Sequence, residues 1–197
     1  MGVEIERKFL VKALPENPER FPYHEITQGY LSRSPAVRVR REVMHAAGGP
    51  EASSSVAEAP ATEYYMTYKG LRTEGSLAQE EYNLPLTPEA YEHLLEKADG
   101  VVITKRRYLI PLTAADCAAV PNASAEELRT WIAGGEAKIE LDVFEGAHDG
   151  LVIAEVEFPS EALATAWQPV TWFGREITGD RRYSNAALAQ KPGLPEE

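Results

Sequence analysis

Several features that would set this sequence apart from ordinary globular proteins are missing from it. It holds one cysteine, Cys117, which excludes an intramolecular disulfide and argues against a cysteine metal cluster. No hydrophobic run approaches the length of a membrane span, and no apolar leader precedes the first predicted strand. We therefore expect a soluble protein of a reducing compartment, namely the cytoplasm.

Positive charge is also scarce, with 20 Lys and Arg against 31 Asp and Glu and a net charge of −11. This balance argues against non-specific binding to nucleic acid or to an anionic membrane. The length of 197 residues and the 44% hydrophobic content are those of a globular protein with one sizeable core. We expect a single domain over residues 1–190 and a tail at 191–197, and either a monomer or a homodimer.

What the sequence does contain is strict alternation, beginning with the first predicted strand, in residues 3–12. Side chains of a strand point to alternate faces, so Glu4, Glu6 and Lys8 share one face and Ile5 and Phe9 share the other. Two carboxylates at this spacing repel each other unless a cation lies between them, and their oxygens suit Mg²⁺ or Mn²⁺. Taken alone, the pattern is more typical of an amphipathic strand with a solvated charged face.

The same alternation recurs in later segments, which predict strands at 25–32, 37–41, 64–69, 79–84, 101–110, 138–144 and 151–158. Their polar faces, together with that of the first strand, carry the basic residues Lys8, Arg38, Arg40, Lys69, Lys105, Arg107 and Lys138 and the acidic residues Glu4, Glu6, Glu81, Glu140, Asp142, Glu155 and Glu157. One arrangement is a half-solvated antiparallel sheet. The other is an eight-stranded antiparallel β-barrel closed around the charged face, which is wide enough for one small ligand. A metal-bound oligophosphate would satisfy both signs of charge in its interior.

Helices are predicted at 88–97, 124–133, 161–167 and 181–189, and they would cover the apolar outside of such a barrel, which makes the fold α+β. Residues 46–62 are small and unpatterned, which predicts a flexible insertion in a hairpin. A second insertion is expected at about 112–135. The tryptophans Trp131, Trp167 and Trp172 lie in or beside the helical segments, where we expect them to pack.

The motifs in this order resemble those of the CYTH superfamily, also called triphosphate tunnel metalloenzymes. The segment Glu4-Ile5-Glu6-Arg7-Lys8 is similar to the ExExK signature of that family. The resemblance spans nearly the whole chain and continues through the segments at 28–31, 37–40, 66–69, 81–82, 105–108, 140–144, 154–158 and 180–183. It implies a tunnel that binds triphosphates together with Mg²⁺ or Mn²⁺.

The resemblance also implies roles for individual residues. The metal ligands would be Glu4, Glu6 and Glu157, with Glu155 as a further candidate. The phosphate clamp would consist of Lys8, Arg38, Arg40, Lys69, Lys105, Arg107 and Arg182, with forked contacts from arginine and point charges from lysine. The attacking water would be held by the metal or by Glu81. Tyr30 beside Lys8 is an alternative base, or a tyrosine that only forms a hydrogen bond in the tunnel.

The segments at both ends of the chain are most similar to the small inorganic triphosphatases. This implies hydrolysis of tripolyphosphate to pyrophosphate and phosphate, with a small-molecule triphosphate as the only expected partner. An adenylate cyclase, a thiamine or nucleoside triphosphatase and a non-catalytic binding module remain as alternatives. The chain departs from the Arg-x-Glu-x-Glu pattern of the family at Gln79 and Asn83. This change is expected to weaken a second metal site.

Overall fold

The computed structural model describes residues 2–48, 60–70, 78–116 and 124–196. In these ranges the strands are β1 Gly2–Val11, β2 Tyr23–Arg33, β3 Ala36–His45, β4 Thr62–Lys69, β5 Ala78–Pro85, β6 Asp99–Pro111, β7 Lys138–Glu145, β8 Val152–Glu157 and β9 Phe173–Glu176. The helices are α1 Pro88–Leu95, α2 Ser124–Ala133, α3 Glu161–Ala166 and α4 Asn185–Leu188. Cys117 and most of the predicted insertion at 46–62 lie outside the described ranges.

The nine described strands form one antiparallel sheet in the order β5-β4-β3-β2-β6-β7-β8-β1-β9. The start of β1 also pairs with β5, from Gly2 opposite Glu81 to Ile5 opposite Ala78. Each of the strands β2 to β8 therefore pairs with two neighbours, and β1 pairs with three, β5, β8 and β9. The α+β class and the antiparallel sheet agree with the prediction, whereas the strand number is one higher than the predicted eight because Phe173–Glu176 pairs with the end of β1.

The apolar core lies on one face of this sheet, as the alternation predicts. Phe9, Leu141, Ala154 and Val156 point to this face and are at most 1% exposed. Helix α2 and the segment from α3 through β9 cover them, with Leu128, Ile132, Leu163, Trp167 and Phe173 in the same cluster. Trp167 is fully buried, and the two other tryptophans pack partly buried against the cluster, so the packing role predicted for all three is confirmed.

Helix α1 covers the same face of the sheet farther along, over β2, β3 and β4. Its first turn is fixed by Thr87, whose side chain accepts a hydrogen bond from the Ala90 amide, and by Pro88 at the first helical position. Gly29 of β2 allows the close approach, since a Cβ atom there would lie 2.6 Å from Ala98 Cβ and 2.8 Å from Leu95 Cδ1. The opposite face of the sheet is left for the charged side chains.

The C-terminal segment differs from the prediction of one helix over 181–189. It forms a 3-10 turn at Arg181–Tyr183 and then α4, because Ser184 ends the turn and its side chain accepts from the Ala187 amide to begin the helix. None of the helices in the described ranges is long and apolar enough to span a membrane.

Candidate active site

The charged side chains predicted to share a face do so, and most of them meet. We call the charged face the surface formed by Glu4, Glu6, Lys8, Gln28, Arg38, Arg40, Glu42, Tyr65, Thr67, Lys69, Glu81, Asn83, Lys105, Arg107, Glu140, Asp142, Glu155 and Glu157. The registers place Lys8 opposite Glu155, Glu6 opposite Glu157 and Arg107 opposite Asp142. Adjacent and next-but-one strands therefore bring opposite charges within contact distance.

Glu155 is the centre of the first group. One of its oxygens lies 2.8 Å from Lys8 Nζ, and the other lies 2.6 Å from Arg107 Nη2. Burial alone would lower the pKa of Lys8, but the carboxylates of Glu155 and Glu6 reverse this and raise it above the ordinary value. In the same way Lys8 and Arg107 hold the pKa of Glu155 well below its ordinary value against the effect of burial. Both groups are therefore charged at neutral pH.

Arg107 extends this group to β7. Its Nε and Nη2 bond both oxygens of Asp142 at 2.7 Å, and its Nη1 donates to Glu140. Lys105, fully buried, contacts the same Asp142 carboxylate. Burial and the charge of Arg107 lower the pKa of Lys105 to about 8, in spite of the attraction of Asp142 and Glu155. Three cations, Lys8, Lys105 and Arg107, thus lie close together and are balanced by four carboxylates, those of Glu6, Glu140, Asp142 and Glu155.

A second group joins β4 and β5 to the start of β1. Lys69 Nζ lies 2.5 Å from Glu4 and 2.6 Å from Glu81, and Arg38 lies 3.9 Å from Glu81 on the side of β3. Although burial alone would raise the pKa of Glu81, Lys69 and Arg38 lower it to about 2. Glu81 is therefore an ionised carboxylate that can orient a water molecule but has little basicity.

A third group surrounds Arg40 and contains residues that the sequence analysis did not select. Arg40 donates from Nε to Gln28 Oε1 and from Nη1 to the Tyr65 hydroxyl, both at 3.0 Å. The Tyr65 hydroxyl donates to Glu42 at 2.5 Å, and His24 Nδ1 lies 2.6 Å from the other Glu42 oxygen. Burial alone would raise the pKa of Glu42. The hydrogen bond with His24 and the charge of Arg40 outweigh burial and lower this pKa well below the ordinary value.

His24 and Glu42 were missed because the predicted strands stopped short. The prediction ended a strand at 41 and began another at 25, whereas β3 continues to His45 and β2 begins at Tyr23. The alternation of Arg38 and Arg40 continues to Glu42, so an extension of the same pattern by one step would have found it.

The carboxylates of Glu4 and Glu157 both have raised pKa values, as expected for side chains that a bound cation would stabilise. Burial and the neighbouring Glu6 raise the pKa of Glu4, while burial, Glu140 and, less strongly, Glu6 raise that of Glu157. Oxygen ligands crowded in this way are the donors that Mg²⁺ and Mn²⁺ prefer. Among the described residues no group of three acidic or imidazole side chains already has the geometry of a metal site. The residues fit a metal by their chemistry, and Glu155 differs from them because Lys8 and Arg107 occupy its oxygens.

Asn83, one of the two departures in β5, joins Thr67 to Glu81. Its carbonyl oxygen accepts from the Thr67 hydroxyl at 2.6 Å, and its amide donates to Glu81 at 3.2 Å. The backbone of Gln79 pairs with Glu4, but its side chain lies outside what the structure describes. Asn83 therefore supplies the charged face with a dipole where a carboxylate would repel Glu81.

Two predicted site residues have other surroundings. Tyr30 is 3% exposed in an apolar cluster with Ile103, Phe144 and Ile153, and it lies opposite Arg38 in the β2–β3 pair. Arg182 is placed at the surface, where its guanidinium bonds both Asp180 oxygens and the Glu196 carbonyl. The 3-10 turn that carries it directs the guanidinium to Asp180, the residue that caps the same turn.

The apolar cluster around Tyr30 marks one end of the charged face. Ile103, Phe144 and Ile153 have the same alternation phase as Lys105, Asp142 and Glu155, and Phe144 is opposite Lys105 in the β6–β7 pair. Residues from the C-terminal segment, Ile177, Tyr183 and Leu188, complete the cluster. The face that is charged at its centre therefore becomes apolar at this end.

Comparison with protein families gives one match over nearly the whole chain. The protein-family model described as the CYTH domain matches residues 2–187 of this chain. This range includes all nine strands and every charged group described above.

Two curated relatives and one solved structure are similar over nearly their full lengths. An inorganic triphosphatase of Nitrosomonas europaea is 33% identical over 94% of this chain and 96% of its own. An inorganic triphosphatase of Acetivibrio thermocellus is 33% identical over 98% of this chain and 96% of its own. A crystal structure of an inorganic triphosphatase is 30% identical, covers 98% of both chains and superposes with a TM-score of 0.56.

Proposed function

The chain belongs to the CYTH family, and on this basis we propose that it hydrolyses inorganic triphosphate to pyrophosphate and phosphate with Mg²⁺ or Mn²⁺. The observation that carries the proposal is the charged face, on which four cations, Lys8, Lys69, Lys105 and Arg107, each contact a carboxylate of another strand. The names of the relatives support the choice of substrate.

In this proposal the cyclic pairing of β1 to β8 forms the wall of a tunnel and the charged face lines it. Lys8, Arg38, Arg40, Lys69, Lys105 and Arg107 bind the phosphate oxygens. Arginine suits this task because its planar fork can bond two oxygens, and the lysines add point charges. Phosphoryl transfer requires mainly positioning and neutralisation of charge, and six cations in one region supply both.

The metal would be held by Glu4, Glu6 and Glu157, whose crowding relaxes when a cation binds. When bound, it would supply Lewis acidity toward the phosphate oxygens and the attacking water. Glu155 has a different role here: it orients Lys8 and Arg107 through the contacts at 2.8 and 2.6 Å. Glu81, kept ionised by Lys69 and Arg38, accepts a hydrogen bond from the attacking water and so directs it.

The test is phosphate release from tripolyphosphate, ATP and thiamine triphosphate in parallel, with Mg²⁺, with Mn²⁺ and with chelator. We expect metal-dependent release that is fastest from tripolyphosphate. The variant Glu6→Gln should lose at least about a hundredfold in rate, since a lost metal ligand typically costs activity of this order or more. The control Glu16→Gln changes an exposed glutamate before the 3-10 turn at Pro18–Arg20 and should act like the unsubstituted protein.

Asn83 favours a second candidate, a module that binds triphosphate without turnover. An amide adjacent to Glu81 reduces the carboxylate oxygens available for a second metal. Metal-assisted binding of tripolyphosphate with no phosphate release would support this candidate against the first. Faster release from ATP or thiamine triphosphate would instead indicate an organic triphosphatase of the same fold.

A further inference from the structure

The contacts of Arg40 differ from those of four other cations on the charged face, and Arg38, 3.9 Å from Glu81, is the other arginine without a close carboxylate. Lys8, Lys69, Lys105 and Arg107 touch carboxylates directly. Arg40, 5% exposed, bonds two neutral groups, Gln28 and Tyr65, while the nearest Glu42 oxygen lies 3.8 Å from Nη1. The Glu42 carboxylate, which balances the charge of Arg40, is therefore connected to it mainly through the Tyr65 hydroxyl and not by a direct hydrogen bond.

The Tyr65 hydroxyl links the two charges. A hydroxyl has one proton, which it donates to Glu42, and its lone pairs then face the Arg40 guanidinium. His24 occupies the second Glu42 oxygen, so the carboxylate has a donor on each side and a fixed orientation. The order Arg40, Tyr65, Glu42, His24 spans three strands, and each member restricts the rotation of the next.

This arrangement decides which edge of Arg40 can meet a ligand. Nε and Nη1 are used by Gln28 and Tyr65. Within the described ranges, no protein acceptor lies at hydrogen-bond distance from Nη2. A guanidinium held at two of its nitrogens and open at the third is pre-organised for an anionic oxygen, because little side-chain entropy is left to lose on binding.

We propose that Glu42, acting through Tyr65 and supported by His24, is a positioning residue that aims Arg40 at the triphosphate. Glu42 binds neither metal nor substrate in this scheme. The inference rests on the proposed function for the identity of the anion, and it adds a role that the ligand and clamp residues do not include.

The experiment measures KM and kcat for tripolyphosphate, and its Kd by calorimetry in the presence of chelator, for Glu42→Gln, Arg40→Gln and the double variant. Glu42→Gln should raise KM and Kd about 5- to 20-fold with kcat changed less than about twofold, the pattern of lost ground-state binding. In the Arg40→Gln background the same substitution should change both constants by less than about twofold, because the residue through which Glu42 acts is gone.

Two further variants separate positioning from general damage. Glu63→Gln is the matched control, because Glu63 lies opposite Glu42 in the β3–β4 pair but is exposed. It should leave KM, Kd and kcat unchanged. Tyr65→Phe removes the linking hydroxyl alone, and it should reproduce the effect of Glu42→Gln even if that variant folds poorly.

The outcomes are distinct. Equal effects of Glu42→Gln with and without Arg40 would overturn the positioning role while leaving the proposed function intact. A fall in kcat at unchanged KM would also overturn it, since Glu42 would then act in the chemical step. If the unsubstituted protein neither hydrolysed nor bound tripolyphosphate, both the function and the inference would fail. Binding without hydrolysis would refute the function alone, because the Kd cycle still measures the coupling of Glu42 to Arg40.

Discussion

Lys8 and Glu155 face each other across β1 and β8, with Nζ 2.8 Å from the carboxylate. The same carboxylate is 2.6 Å from Arg107. In the free protein Glu155 therefore occupies a place between two cations that a phosphate oxygen could take. In the proposed function, substrate binding on this face is an exchange, in which the entering anion competes with internal carboxylates for the same ammonium and guanidinium groups.

The variant Glu155→Gln tests this exchange. Without ligand it should melt roughly 6–12 °C lower than the unsubstituted protein, because removal of one partner from a buried charge group typically costs about 3 kcal/mol. Tripolyphosphate in chelator should raise its melting temperature more than that of the unsubstituted protein, since the anion replaces the missing charge. Differential scanning fluorimetry with and without tripolyphosphate measures both effects.

Glu127→Gln, at an exposed residue of α2, serves as the control for Glu155→Gln. It should leave the melting temperature unchanged both with and without tripolyphosphate. If Glu155 were instead a metal ligand, Mn²⁺ would stabilise Glu155→Gln less than the unsubstituted protein. A smaller shift with tripolyphosphate than in the unsubstituted protein would contradict the exchange.

The variant Asn83→Glu tests the departure in β5. Its new carboxylate would lie beside Glu81, where Asn83 now donates at 3.2 Å, while Thr67 could still donate to it. The two carboxylates repel each other unless a cation binds, so we expect the Mg²⁺ concentration at half-maximal activity to fall about five- to tenfold. A titration of phosphate release against Mg²⁺ checks this. Asn83→Gln keeps the amide, and an equal metal requirement in both variants would refute the idea.

The composition of the charged face could be predicted from the sequence because a period of two is a strong signal wherever one side of a strand is apolar. Lys8, Arg107 and Glu155 were selected in this way, and the pairing registers bring them together. Glu42 was lost only because the end of β3 was placed at residue 41, and strand ends are the least certain part of such a prediction.

Other features depend on the third dimension and could not be obtained from alternation. Ile103 and Phe144 have the phase of the charged face, yet they form its apolar end with Leu188, which is distant in sequence. Motif similarity selected Arg182, but the side chain is held by Asp180 two residues away. The ninth strand, Phe173–Glu176, has four residues and too little pattern to be recognised with certainty.

Acid should weaken the fold through Glu81. Its pKa is lowered to about 2 because Lys69 and Arg38 outweigh burial, so the free energy that it contributes is complete above its unfolded pKa of 4.5 and is lost as the pH falls toward 2. The loss is at most on the order of 3 kcal/mol, because solvent screens part of the interaction of the partly exposed Glu81 side chain. Glu81→Gln should therefore be less stable than the unsubstituted protein at pH 6, and the difference should shrink below pH 4.5.

Urea unfolding at intervals between pH 2 and 6 gives the free energies for this comparison. Glu80→Gln, an exposed substitution on the adjacent residue and the opposite face, should follow the unsubstituted protein at every pH. Parallel curves for Glu81→Gln and the unsubstituted protein would show that the ion pairs with Lys69 and Arg38 add nothing to stability.

The approach of α1 to β2 at Gly29 gives a prediction about the scaffold rather than the chemistry. Gly29→Ala would bring its new Cβ to 2.6 Å from Ala98 Cβ, so β2 and the end of α1 must separate. We expect a loss of about 1–3 kcal/mol in the free energy of unfolding, as for other overpacked sites. Ala98→Gly removes the opposing atom, and the double variant should recover much of the loss. A double variant no more stable than Gly29→Ala would show that the strain comes from Leu95 or from the backbone of β2, because the Ala98 methyl would then be absent.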